Sequence, residues 1–391
     1  METHCGRRAG RPDLLLLTAT IGLPYMVLAA TSPLLQSWFF RVHPGKSPYR
    51  LYAVSNVGSL LALVSYPFVF EPLITRRIQA YAWSGGLVIY AGLVLACGLH
   101  LWRQADAAAG PAASIGPLES SKSKGKGTAG KAATATPEIR PSLGVQALWL
   151  GFSACASMVL LGTTNQLCQN VAVVPFLWVL PLSLYLLTFI FCFERTALYP
   201  RWFFTLLLIP MLALLSLNLA WRENSVAHQI IIYCGGLFVC GMECHGELYR
   251  LRPSPQSLTQ FYLMIAAGGA LGGAIVAVVA PRVFLSYAEL NWSLCLLGLL
   301  LLIVHQREGS AWALGRRRWP LWPVIGVVTV ALATALTMQS QRGARRAVAM
   351  TRSFFGVSRV QEVSPDEPLF HGYSLKHGSI QHGAQFVDFD S

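Results

Sequence analysis

Long apolar stretches alternate with short polar connectors along this chain, and they set its predicted architecture. Ten such stretches run at about 14 to 35, 51 to 72, 80 to 101, 145 to 162, 171 to 193, 202 to 221, 228 to 244, 260 to 284, 289 to 305 and 320 to 338. Each is near the roughly 20 residues with which an α-helix crosses about 30 Å of hydrocarbon. The pattern predicts an all-α polytopic membrane protein of about ten transmembrane helices, with the lipid bilayer as its first partner. Pro24, Pro67, Pro175, Pro181 and Pro210 fall inside these stretches and predict kinks, which bilayer helices tolerate where neighbours satisfy the freed backbone groups.

Two polar regions break the pattern. Residues 103–142 are rich in Ala, Gly, Ser, Thr, Pro and Lys, with no aromatic residue and only Ile115, Leu118 and Ile139 as larger aliphatics. Such a stretch buries too little apolar surface to offset its ordering entropy, so it predicts a disordered linker. The linker divides an N-terminal membrane segment of three spans, residues 1–102, from a second of about seven, residues 143–339. The tail, residues 340–391, carries short β-prone pieces at Phe354 to Val363 and Ser379 to Val387, and predicts a β-hairpin-like unit too small for a robust core of its own.

Composition sharpens this reading. Of 391 residues, 54% are hydrophobic and 12% charged, about half the charged share of an ordinary soluble domain. A soluble enzyme is thereby excluded as the whole account. Thirty Lys and Arg against 17 Asp and Glu give a net charge of +13. The basic residues are scattered over connectors and the linker, with no aromatic-interleaved basic face, so they suit loops beside an anionic leaflet rather than a nucleic acid. All nine cysteines except Cys5 lie in or beside apolar spans, and no disulfide framework is indicated. The basic run Arg7, Arg8 and Arg11 precedes an apolar stretch without a clear cleavage site, which reads as a retained first span.

The densest polar feature closes the seventh span: Glu243, Cys244, His245, Gly246, Glu247, Leu248, Tyr249, Arg250, Leu251, Arg252 and Pro253. Ionisable groups at membrane depth are costly unless paired or hydrated, and they often mark a substrate path or proton relay. His245 and Glu247 are candidates for proton transfer or cation binding, with Arg250 and Arg252 for anion contacts. The alternative is a helix end in the headgroup region. Cys240 and Cys244 share a helix face beside His245, but no second cluster stands at a ligand spacing, so no metal site is predicted. Thr163 to Asn170 predicts a tight connector between spans four and five, its Asn and Thr satisfying helix ends. Asn56 is the sharpest candidate for an interhelical hydrogen bond, and Glu71 closes the same span. Gly268, Gly269, Gly272 and Gly273 form two overlapping GxxxG spacings inside an apolar span, which predicts close helix packing rather than nucleotide binding.

Several blocks together carry a resemblance. They are Leu23-Pro24 through Pro33 to Trp38, Pro48 to Leu60, Tyr66-Pro67 and Glu71-Pro72, then Val174 to Leu182, Cys244 to Leu248 and Leu258 to Gly273. In that order they resemble a bacterial membrane family fused to a spermidine synthase-like, or aminopropyltransferase-like, domain. In the tail, Arg352 to Val360 and His377 to Gln385 resemble the opening strands of that domain, with His377 where the family has Asp. The resemblance implies a multi-pass protein of the bacterial cytoplasmic membrane that anchors the enzyme or moves a polyamine-like small molecule. Glu71, Glu243 and Glu247 are then the carboxylates available to a cationic amine. Gln381 and Gln385 are the positions it offers for contact with decarboxylated S-adenosylmethionine. The Gly-rich turn and catalytic carboxylate of the family do not follow before Ser391, so no catalysis is expected of the chain as written, which reads as truncated. The alternative is a membrane-bound aminopropyltransferase of which this chain is a fragment. Nothing in the sequence specifies an oligomeric state.

Overall fold

A computed structural model describes residues 15–16, 18–43, 48–108, 141–170, 176–194, 198–220, 225–308, 311–314, 317–320, 322–345, 347–353, 356–364, 371–377 and 380–386. Its helices are α1 (Leu23–Val42), α2 (Tyr49–Ser65), α3 (Arg76–Ala108), α4 (Leu143–Asn170), α5 (Phe176–Glu194), α6 (Arg201–Ala220), α7 (Val226–Arg250), α8 (Leu258–Ala274), α9 (Glu289–Glu308) and α10 (Trp322–Arg345). Among the described residues nine helical segments are long and apolar enough to cross a membrane, and the apolar part of α10, Pro323–Met338, is shorter. The expected ten are thus nine and one short helix. Residues 103–108 continue α3, while the rest of the predicted linker, from 109 to 140, lies outside the described residues. The tail begins later than the fall in hydropathy suggests, because α10 runs on to Arg345.

Helices α4, α5, α7, α8 and α9 supply most of the core, with Trp149, Phe152, Phe193, Leu237, Phe261 and Leu294 all fully buried or nearly so. Glycines set the closest approaches. A Cβ on Gly268 would overlap the Leu150 carbonyl oxygen and stand 2.8 Å from Ser153 Cβ, and one on Gly272 would overlap the Ala154 carbonyl oxygen. The paired positions rise together in number, so α4 and α8 pack in parallel, and the Ser153 hydroxyl donates to the Ile265 carbonyl at 2.6 Å. Gly269 meets only side-chain oxygens at 3.5 Å or more, and Gly273 meets nothing within 4 Å. One of the two GxxxG spacings therefore makes the contact.

Turns of π-helix at Thr18–Gly22 and Tyr66–Phe70 stand beside or around two of the expected prolines, Pro24 and Pro67, and a third, at Ile275–Val279, precedes Pro281, which was not among those expected. A proline lacks the amide proton and its ring presses on the preceding turn, and widening that turn relieves both. Pro181 and Pro210 sit within α5 and α6 without interrupting them. Pro175 lies outside the described residues.

The stretch from Thr163 to Asn170 is a correction to the sequence reading. It forms the last two turns of α4 instead of a connector. Its polarity ends the hydropathy signal, but helical hydrogen bonding does not depend on hydropathy. Thr164 donates to the Leu160 carbonyl at 2.8 Å, and the Gln166 amide reaches the Tyr287 carbonyl at 3.4 Å.

A two-stranded hairpin, β1 (Ala311–Leu314) with β2 (Arg317–Pro320), separates α9 from α10. The tail forms a four-stranded antiparallel meander of β3 (Ala347–Ser353), β4 (Gly356–Val363), β5 (Gly372–His377) and β6 (Ile380–Phe386), larger than the expected hairpin. It is fastened to the helices by Arg352, which donates to the Ser286 carbonyl at 2.7 Å, pairs with the buried Glu289 and lies over the Tyr287 ring at 4.6 Å. Glu289 opens α9, and Glu308 closes it. The sheet and the Glu308 end of the bundle are therefore separated by the length of a 20-residue helix, about 30 Å.

Candidate functional site

The Glu308 end of the bundle holds a network of ionisable side chains, built around the last two turns of α7. Glu243, His245 and Glu247 are all fully buried. Glu243 and Glu247 are one turn apart on the same face, and Glu243 lies about 10 Å inside the end of α7 at Arg250. The end itself is fixed from outside: Trp149 Nε1 donates to the Leu251 carbonyl at 2.9 Å, and the Tyr49 hydroxyl to that of Pro253 at 2.7 Å. Arg252 lies 3.9 Å from the centre of the Tyr249 ring.

Tyr199, between α5 and α6, bridges the two carboxylates. Its hydroxyl stands 2.8 Å from Glu243 Oε2 and 3.2 Å from Glu247 Oε1. Gly246 makes room for it, since a Cβ there would overlap the Tyr199 ring. Burial, and next the carboxyl groups of Glu243 and Glu247 beside it, hold the Tyr199 phenol well above the ordinary range, so it remains a donor.

Two arginines neutralise the outer part of the network. Arg201 opens α6, with Nε 2.7 Å from Glu247 Oε1 and a terminal nitrogen 2.8 Å from Glu308 Oε2. Arg250 donates through Nε to Glu247 Oε2 at 3.1 Å and also pairs with Glu308. Arg201, Glu308 and Arg250 have 21%, 30% and 35% of their side chains exposed, so the network opens to the surface here. His305, one turn before Glu308, has Nδ1 2.9 Å from the Leu301 carbonyl oxygen and 3.5 Å from Arg201.

His245 belongs to a separate environment. The Thr188 hydroxyl donates to the Tyr185 carbonyl at 2.7 Å and lies 2.8 Å from His245 Nδ1. With its proton used, that hydroxyl accepts from Nδ1–H, which assigns the neutral tautomer. Nε2 has no hydrogen-bond partner among the described residues. The imidazole stacks on Phe189 with centroids 3.6 Å apart, facing α5, away from the carboxylates. His245 and Glu247 do not share an environment, because two residues along a helix is about 200° of rotation.

The other predicted positions stand apart. The Asn56 amide donates at 2.9 Å to the Tyr52 carbonyl of its own helix instead of crossing to another. Glu71 is exposed, beyond the end of α2 away from Tyr49. Gln381 and Gln385 lie on the edge strand β6, which has no buried residue. Cys240 and Cys244 are buried free thiols, and among the described residues no three His, Cys, Asp or Glu side chains come together to hold a metal. Tyr199, Arg201, Thr205, His305 and Glu308 are members that sequence reasoning missed.

The chain matches no family model, no curated protein and no solved structure with which it was compared.

Proposed function

We propose that this is a multi-pass protein of the bacterial cytoplasmic membrane, the membrane module of a spermidine synthase-like fusion, whose helical bundle moves a polyamine-like organic cation. The membrane part of the reading is supported by apolar faces that the fold leaves uncovered. Along α3, Tyr81, Trp83, Val88, Ile89 and Leu93 are all more than half exposed, and none of the apolar window of that helix is buried. A helix apolar all round is at home in hydrocarbon or in a core. In water this surface would far exceed the few hundred Å² that a soluble monomer exposes in one patch.

One observation carries the transport part. Glu243 is fully buried, and its Oε1 has no hydrogen-bond partner among the described residues, whereas Arg201 and Arg250 are engaged by Glu247 and Glu308. A carboxyl group held in this way inside a membrane helix suits recognition of an alkylammonium group, and such groups mark transport paths. The test is uptake of radiolabelled spermidine by the full chain in proteoliposomes. Glu243→Gln is expected to lower the rate at least tenfold, and Glu71→Gln to leave it unchanged. Wild-type flux from Glu243→Gln, or no flux from the wild type, contradicts the proposal.

Aminopropyl transfer by a longer protein is the second reading, favoured by the antiparallel sheet with Gln381 and Gln385 on it. The residues present do not fit decarboxylated S-adenosylmethionine. Both amides stand on a fully exposed edge strand, which offers a nucleoside no enclosed surface.

A further inference from the structure

We propose that the site exchanges its cation against a proton, which Glu243 holds and which reaches the Arg250 end of the bundle through Tyr199 and Glu247. The exchange rests on the transport reading above, whereas the proton site stands or falls without any substrate.

The argument begins with charge. Arg201 and Arg250 supply two positive charges to three carboxyl groups, and both contact Glu247 and Glu308. A neutral Glu243 balances the network, while an ionised one adds an uncompensated charge at a fully buried position. The groups that face Glu243 are Cys192 from α5, Tyr199 from the connector, Arg201 and Thr205 from α6, and Cys240, Cys244 and Glu247 of its own helix, and the cation among them, Arg201, is already shared by Glu247 and Glu308. His305 and Glu308 of α9 reach the network through Arg201.

Hydrogen bonding agrees with the charge count: a proton on Glu243 Oε2 is donated to the Tyr199 hydroxyl at 2.8 Å, which leaves the phenol proton for Glu247 Oε1 at 3.2 Å.

The path outward is already connected. The Tyr199 hydroxyl has one proton and two carboxyl oxygens within reach, at 2.8 and 3.2 Å. When it donates to Glu247 and takes the Glu243 proton in its place, one O–H bond forms and one breaks at the phenol, which is neutral before and after. Glu243 becomes a carboxylate and Glu247 an acid. Glu247 is buried but ion-paired to the partly exposed Arg201 and Arg250, so the proton then stands one side chain from the open edge of the network. The ionised Glu243 left behind is the state that attracts an ammonium group.

Infrared difference spectroscopy of the full chain in liposomes, without polyamine, tests this directly. At neutral pH the wild type is expected to show the carbonyl stretch of a protonated carboxyl group, shifted on transfer to D2O and absent from Glu243→Gln. Tyr199→Phe is expected to retain the band and to slow its exchange at least tenfold. If Glu243→Gln does not fold, Glu243→Asp supplies the same reading by moving the band. A wild type without the band, a band that these Glu243 variants leave unaltered, or exchange that Tyr199→Phe does not slow would overturn the proposal. Loss of spermidine uptake with the band intact would count only against transport.

Discussion

Glu247→Ala is expected to destabilise the bundle by about 3 kcal/mol, at the lower end of what breaking a buried ion pair costs. Glu247 is fully buried and takes contacts from Tyr199, Arg201 and Arg250. Its removal takes from Arg201, four-fifths buried, one of the carboxylates with which it forms an ion pair. Partial exposure of both arginines keeps the cost from rising further. Glu243→Gln retains the shape of a neutral carboxyl group and is expected to cost less than about 1 kcal/mol. Thermal unfolding in detergent, followed by tryptophan fluorescence, separates the two variants: a Tm lower by several degrees for Glu247→Ala, and nearly unchanged for Glu243→Gln. Equal losses would mean that Glu243 is ionised and paired.

Gly268→Val is expected to be about as damaging, at 3 kcal/mol or more, for a steric reason. The new Cβ meets the backbone of α4 at Leu150 and the Cβ of Ser153, and a backbone cannot turn aside as a flexible side chain can. The helices must separate, which also breaks the hydrogen bond from Ser153 to the Ile265 carbonyl. Gly273→Ala is the matched control. It faces open space and is expected to be neutral or to gain up to about 1 kcal/mol from helix propensity. The same unfolding assay reads both, and a stable Gly268→Val would disprove the parallel packing of α4 on α8.

The helices were legible because a 20-residue apolar run leaves few alternatives. Their ends were less so, since hydropathy reports on the surroundings of a helix and not on its hydrogen bonds. That is why α4 continues through Thr163 to Asn170 and α10 to Arg345. The carboxylates of α7 were visible as charge in an apolar context. Their partners were not, because Tyr199, Arg201 and Glu308 are separated from Glu247 by 48, 46 and 61 positions and read locally as helix ends. Only the up-and-down course of the helices, which gathers the ends of α5, α7 and α9 and the start of α6 at one end of the bundle, brings them together. Choosing between the two GxxxG spacings likewise required the position of α4, which no property of α8 encodes.

A bundle that crosses the membrane must have its carboxylate network and its C-terminal sheet on opposite sides. Leu198→Cys, exposed beside Tyr199, and Gln381→Cys, exposed on β6, report on the two ends. Each variant is treated with a membrane-impermeant maleimide in right-side-out and in inverted vesicles, with the parent chain as the blank. The account predicts that each cysteine reacts from one side only, and that the two sides differ. Labelling of both from the same side would contradict it.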